Sequence, residues 1–171
     1  MLNKAIRIGL TAILTGLSIW QFIEGEIGNG IMLILLAGIV LLTYFRNERI
    51  LLAFWHLRKN NFDKAKSVLS GIKDPENALT KGNLAYYYFL NGILESQTGI
   101  GKAETYLKKA LNTGLRMKHD RAMAKLSLAG IAMAKRRKRE AQILLTEAKK
   151  LDEKGLLDEQ IKMLKQQMKR I

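Results

Sequence analysis

Apolar and polar residues follow two different patterns along this chain, and the change between them falls near residue 46. Two runs without a charged residue, 8–23 and 27–45, come first. Beyond residue 46, apolar residues recur every three or four positions among charged ones, which is the pattern of amphipathic helices. The chain contains a single proline, the residue that most strongly interrupts helices. These patterns predict an all-α protein in two parts.

The two apolar runs predict a transmembrane helical hairpin over residues 1–46, with spans at about 5–23 and 27–45. A helix that crosses a bilayer needs roughly 20 predominantly apolar residues. Basic residues flank the outer ends of the two runs, as at Lys4 and Arg49, whereas the short segment between the runs has none. Because cytoplasmic flanks are enriched in Lys and Arg, we expect a multi-pass protein of the bacterial inner membrane with both termini in the cytoplasm.

Two other interpretations of the first 46 residues stay open. A basic start before an apolar core is also typical of a cleaved signal peptide, although no small-x-small cleavage motif follows Trp20. The second is a helical hairpin buried inside a water-soluble protein. The sharp separation of the apolar runs from the charged remainder favours the membrane hairpin. Within it, Ala12 and Gly16 could face Ala37 and Gly38, since small residues let helix backbones approach each other; the alternative is that Gly and Ala are simply common in membrane helices.

The stretch Ile31–Asn60 is expected to form one helix that leaves the bilayer and becomes the first helix of the second part. It contains no proline. An unbroken helix would hold the second part at a fixed angle close to the bilayer. A bend at Arg46–Asn47 is the alternative.

Small and large residues recur with a 38-residue period in the second part. Ala65, Ala103 and Ala141 are evenly spaced and each precede a leucine by four positions, and Gly92 and Gly130 are separated by the same interval. A fixed period of this size is the signature of stacked helical repeats. The period predicts three helix pairs. They are 48–59 with 62–72, 80–97 with 101–112, and 119–135 with 138–151.

The small–x3–large–x2–small pattern that begins at Ala65, Ala103 and Ala141 resembles the second helix of the tetratricopeptide repeat family. The period of this chain is longer than the one usual in that family. The resemblance implies a three-repeat α-solenoid over residues 47–152, followed by a C-terminal capping helix in 153–171. It also implies a concave groove that binds a protein partner.

Three consecutive tyrosines, 86–88, mark the middle of the second repeat. They span too much of a helix circumference for all three to face the core. If Tyr87 faces the core, the same register predicts which residues line the partner-binding groove. They are Phe54, Arg58, Tyr88, Glu95, Met123, Leu126 and Met133. Ordinary core filling, with one tyrosine partly exposed, is the alternative.

The formal net charge of +14 belongs entirely to the second part, because residues 1–45 hold two basic and two acidic residues. The sharpest basic feature is a patch of five consecutive cations, Lys135, Arg136, Arg137, Lys138 and Arg139. A positive field attracts acidic protein, nucleic acid or anionic lipid. A solvated turn, anionic lipid headgroups and ribosomal RNA stay open as interpretations of this patch.

The residues that carry most enzyme chemistry do not form a pattern here. There are no cysteines, and the only two histidines, His56 and His119, are far apart. Gly99–Lys102 is rich in glycine but lacks the preceding strand of a phosphate-binding loop. We therefore predict no catalytic residue, no metal ligand, no cofactor and no small-molecule substrate.

These observations predict a non-catalytic, membrane-anchored adaptor or assembly scaffold. Its helical-repeat domain would bind a protein partner within a membrane complex, and its hairpin would lie in the lipid bilayer. The alternative is a membrane tether for ribosomes, other RNA or anionic lipid headgroups, which would use the basic surface.

Overall fold

The computed structural model describes residues 4–45 and 47–169, without the side chains of 4, 5, 7 and 42–45. The described chain forms ten α-helices and no strand, which confirms the all-α prediction. The helices are α1 (Lys4–Ile23), α2 (Ile27–Phe45), α3 (Glu48–Arg58), α4 (Phe62–Ser70), α5 (Pro75–Ala78), α6 (Lys81–Glu95), α7 (Ile100–Thr113), α8 (Lys118–Ala134), α9 (Lys138–Leu151) and α10 (Asp158–Met168).

All six helices predicted from the repeat period are present, with ends within two residues of the predicted positions. The short helix α5 was not predicted. It begins at Pro75, whose fixed φ suits the first turn of a helix, directly after Asp74 in a left-handed conformation. Local sequence signals therefore located the long helices and missed only a single turn.

Helices α2 and α3 are separate, so Ile31–Asn60 is not one continuous helix. Helix α2 ends at Phe45 and α3 begins at Glu48; Arg46 lies outside the described residues. The side-chain oxygen of Asn47 accepts a hydrogen bond from the backbone N–H of Arg49 at 3.0 Å. This bond is the one that an asparagine N-cap makes to the first turn of a new helix. The cap explains why a second helix starts at this point.

The chain divides into two compact units, 1–51 and 52–171. In the first unit α1 and α2 pack along each other as a hairpin. The Ser18 hydroxyl is buried between them and donates to the Gly30 carbonyl at 2.7 Å. Ala37 is buried as expected, but Ala12 and Gly16 are exposed, so the predicted contact of these small residues with Ala37 and Gly38 is wrong.

No helix in the described part of the chain is both long and apolar enough to cross a membrane. The charge-free run 8–23 rises only about 24 Å, against roughly 30 Å of hydrocarbon. The end of the second predicted span, 42–45, has side chains outside the described set. The predicted transmembrane hairpin and the multi-pass inner-membrane localisation are therefore wrong.

The outer surface of the α1–α2 hairpin is strongly apolar. Bulky side chains such as Ile13, Trp20, Ile34 and Leu35 are about half exposed or more. Contiguous apolar surface of this kind marks interaction sites rather than ordinary exposed surface.

In the second unit, α6 packs along α7 and α8 along α9, and α7 also contacts α8. The periodic alanines, Ala65, Ala103 and Ala141, are completely buried. The small side chain of Ala103 lets α6 and α7 approach closely around a core that includes Phe89 and Leu107. Helix α10 covers the end of this unit, where Leu157 and Ile161 pack against α8 and α9.

The first predicted repeat differs from the other two. Within the described residues, α3 and α4 lack the close side-by-side packing of α6 with α7 and of α8 with α9. Phe54 of α3 instead packs against Tyr86 and Phe89 of α6, with ring centroids 6.1 and 6.4 Å apart. The second unit thus contains two helical hairpins, and the three-repeat solenoid is not confirmed.

Candidate functional site

The turn between α8 and α9 places Arg136 in a conformation that favours glycine. The backbone N–H of Arg136 donates to the Met133 carbonyl and that of Arg137 to the Ala132 carbonyl, at 2.9 and 2.8 Å. These two bonds form a Schellman motif, which ends many helices. Arg136 occupies its left-handed position, with φ +57°. A side chain with a Cβ atom is strained there. Arg136 is fully outside the core, so packing does not explain the strain.

Glu104 on α7 binds two of the five cations in the basic patch. Its Oε2 atom accepts hydrogen bonds from Lys135 Nζ at 2.6 Å and from an Arg137 guanidinium nitrogen at 2.8 Å. Its Oε1 atom accepts from Lys108 Nζ at 2.7 Å. Arg137 also pairs with Glu140 at 2.8 Å. Lys135 and Arg137 therefore link the turn to α7 through Glu104. Their charges are already paired within the fold.

The ion pairs change the acid–base properties of Glu104. Its side chain is only 12% exposed. The hydrogen bonds from Lys108, and then Lys135, lower its pKa from 4.5 to about 2, although burial opposes this shift. Glu104 therefore stays ionised in the folded protein far into the acid range.

The other three cations of the patch, Arg136, Lys138 and Arg139, are exposed. Within the part of the chain that the structure describes, none of them takes part in a salt bridge. The five cations thus divide into a pair bound to Glu104 and a set of three whose charge is not compensated by a salt bridge among the described residues.

A shallow depression of about 530 Å³ lies next to this turn. We call it the basic depression; its lining residues are Arg137, Lys138, Arg139, Glu140, Ile143 and Leu144. Ile143 is 54% exposed, as several other bulky apolar side chains of the second unit are, but it lies beside exposed cations. The depression therefore combines an apolar wall with adjacent positive charge.

Tyr88, predicted to line the groove, is buried, with 6% of its surface exposed. Its hydroxyl donates to Glu76 Oε1 at 2.7 Å, and Lys109 Nζ lies 5.2 Å from its ring centroid. Burial, with the hydrogen bond and negative charge of Glu76, raises the pKa of Tyr88 to about 12. Tyr88 thus belongs to the core of the second unit, and Tyr86 and Tyr87 are half-buried.

The remaining predicted groove residues do not form one open surface. Leu126 and Met133 are buried in the core around α8, out of reach of a partner in this structure, whereas Phe54 and Met123 are half-buried against the core. Glu95 is paired with Lys66 at 3.0 Å, and Arg58 lies at the end of α3. Phe54 and Met123 pack against the same core cluster, and partner binding by the predicted groove residues stays a prediction.

We expect Tyr88→Phe to lower the free energy of unfolding by about 1 kcal/mol, since it removes one hydrogen bond without leaving a cavity. Because the pKa of Tyr88 is raised, its hydroxyl stabilises the fold below pH 10 and loses this effect as the pH rises towards 12. Urea unfolding at neutral and alkaline pH measures both effects. Equal stability of the two proteins at neutral pH would contradict the bond to Glu76.

The sequence pattern gave no indication of Glu104, Ile143 or Leu144 as parts of a site. The four-residue spacing of Glu104 and Lys108 was a visible signal for an ion pair within one helix. The bonds from Glu104 to Lys135 and Arg137 join residues more than 30 positions apart and have no local signal. The exposure of Ile143 likewise depends on which neighbours pack beside α9.

The two histidines lie in unrelated surroundings. His119 Nδ1 is 4.0 Å from an Asp152 carboxylate oxygen, and His56 stacks edge-on against Trp55. Asp152 is used structurally, since its carboxylate accepts the backbone N–H of Leu157 at 2.6 Å. Among the described residues, no group of three or more His, Cys, Asp or Glu side chains could hold a metal ion.

No protein-family model, curated protein or solved structure matches this chain. The identification as a tetratricopeptide-like domain is therefore wrong. The packing agrees with this result, because the repeat period describes two helical hairpins and a first pair that packs differently.

Proposed function

We propose that this chain is a non-catalytic adaptor that binds a protein partner through its second unit. The observation that carries the proposal is the basic depression, where the exposed side chain of Ile143 lies beside Lys138 and Arg139. Protein interfaces combine a desolvated apolar centre with a polar or charged rim. The apolar wall and the cations of the depression supply these two components on one helix.

Site-specific photo-crosslinking in the organism that makes the protein tests this proposal. A photoreactive amino acid at Ile143 should give one discrete protein adduct. The same amino acid at Met163, an equally exposed apolar position on α10, serves as the matched control and should not give that adduct. Identical adduct patterns at the two positions, or no protein adduct at Ile143, would remove the basis of the proposal.

Binding of RNA or of anionic lipid headgroups is the second candidate. It is favoured by the three exposed cations, Arg136, Lys138 and Arg139, on a chain of net charge +14. Binding to a phosphate backbone weakens steeply with salt, because each neutralised phosphate releases counterions. Adducts of Ile143 with RNA or lipid in place of protein would support this candidate over the first.

A further inference from the structure

The backbone of Arg136 can be compared with an equivalent turn elsewhere in the chain. Asn60, two repeat periods earlier, follows α3 in the same left-handed conformation, φ +56°. Its N–H donates to the Leu57 carbonyl, and that of Asn61 to the His56 carbonyl, as at Arg136. Asparagine tolerates this conformation well, whereas arginine does not. The turn between α8 and α9 thus carries a long cation at a position where glycine or asparagine would be more stable.

The neighbourhood of Arg136 has uncompensated positive charge beside an apolar wall. Arg137 is neutralised by Glu104 and Glu140. Lys138 and Arg139 line the basic depression together with Ile143 and Leu144. A ligand for this surface therefore needs negative charge and one apolar group.

We propose that the basic depression and Arg136 bind an acidic peptide segment of the partner that carries one bulky apolar side chain. The apolar side chain packs against Ile143 and Leu144, and flanking carboxylates pair with Arg136, Lys138 and Arg139. Arg136 is a specificity determinant that presents its charge from a strained backbone position. This inference rests on the proposed function and adds the chemistry of the recognised segment.

The apolar wall favours a peptide over a nucleic acid or a lipid headgroup. A phosphate backbone would meet the cations but leave the exposed face of Ile143 without an apolar partner. A peptide with acidic residues on both sides of a Phe or Leu satisfies both requirements. Burial of that side chain adds affinity that a pure polyanion cannot obtain.

Fluorescence anisotropy with the full chain and synthetic probes tests the inference. The first probe is a labelled peptide rich in Asp and Glu with a single Phe, and the second replaces that Phe by Ser. An oligouridylate of the same charge and phosphatidylglycerol vesicles are the other two probes. We expect the Phe peptide to bind about tenfold more tightly than the Ser peptide, the difference that burial of part of one aromatic ring supplies.

Substitution of Arg136 separates its charge from its backbone strain. Arg136→Gly should weaken binding of the Phe peptide about fivefold and raise the melting temperature by about 2–4 °C, because strain and charge are lost together. Arg136→Lys should keep the affinity, since it keeps the cation. Asn60→Gly, the matched control in the equivalent turn, should leave the affinity unchanged.

Equal affinity of the Phe and Ser peptides, or tighter binding of the oligouridylate or the vesicles, would overturn the inference. Unchanged affinity of Arg136→Gly, or an absence of binding to any probe, would do the same. If none of the probes binds while Ile143 still crosslinks to a discrete protein, the adaptor function stands. Only the proposed acidic and apolar character of the recognised segment is then wrong. Failure of both experiments would remove both proposals.

Discussion

Gly92→Ala lowers the free energy of unfolding by about 2 kcal/mol, the largest effect expected of a single methyl group in this protein. A Cβ atom at Gly92 would lie 2.7 Å from Leu107 Cγ and 3.2 Å from the Leu107 backbone nitrogen. Leu107 is completely buried and its backbone belongs to α7, so neither can move without separating α6 from α7. This crowding outweighs the gain of about 1 kcal/mol that alanine brings to a helix.

Gly130→Ala is the matched control, because Gly130 occupies the equivalent position one period later. Nothing lies within 4 Å of a Cβ atom placed at Gly130. The helix propensity of alanine should therefore dominate and raise the free energy of unfolding by about 0.5–1 kcal/mol. Urea unfolding of the two variants measures effects of opposite sign. Two changes of the same sign would contradict the different packing of the two hairpins.

Glu104→Gln should destabilise the protein by about 1–2 kcal/mol at neutral pH, because it weakens the bonds to Lys108, Lys135 and Arg137. The pKa of Glu104 is about 2 in the folded protein and 4.5 without these contacts. The unfolded chain therefore takes up a proton at higher pH than the folded chain does. The contribution of Glu104 to the free energy of unfolding is therefore complete above about pH 5, and it is lost as the pH falls towards 2.

Chemical denaturation of wild type and Glu104→Gln across this pH range checks the prediction. The difference in free energy of unfolding should shrink towards zero near pH 2. A double-mutant cycle with Lys135→Gln supplies the control, since the coupling energy isolates one ion pair from other effects of each substitution. A difference that stays constant from pH 5 to pH 2 would show that Glu104 does not hold the turn through its charge.

The effect of Glu104 bears on the proposed site as well as on stability. Its ion pairs hold Lys135 and Arg137 against α7, and Arg136 lies between these two residues. Loss of the anchor should loosen the turn that presents Arg136. Weaker peptide binding by Glu104→Gln, without any contact between Glu104 and the peptide, is therefore expected.

The repeat pattern is sufficient to locate six helices and their buried alanines. A helical period depends on neighbours three and four residues away, so the sequence alone contains this information. The burial of Ala65, Ala103 and Ala141 follows from the same local pattern. The net charge and the basic patch are also properties of the sequence, although they do not identify a ligand.

Residues that look equivalent in the sequence pattern have different neighbours in the tertiary structure. Gly92 and Gly130 occupy the same position within the repeat, yet only Gly92 of the two meets a neighbouring helix. The Tyr88 side chain lies in the core and its hydroxyl contacts Glu76, whereas the sequence pattern predicted that it lines a groove. Both outcomes depend on how closely separate helices approach, which no local spacing specifies.

The basic patch shows the same division between local and distant information. Its five cations are indistinguishable as a run, but Glu104 neutralises Lys135 and Arg137, whereas Arg136 has no salt bridge within the described chain. Contacts between residues more than 30 positions apart depend on how α7, α8 and α9 pack. The sequence by itself therefore determined the long helices and the total charge, whereas helix packing alone determined which cations of the patch take part in salt bridges.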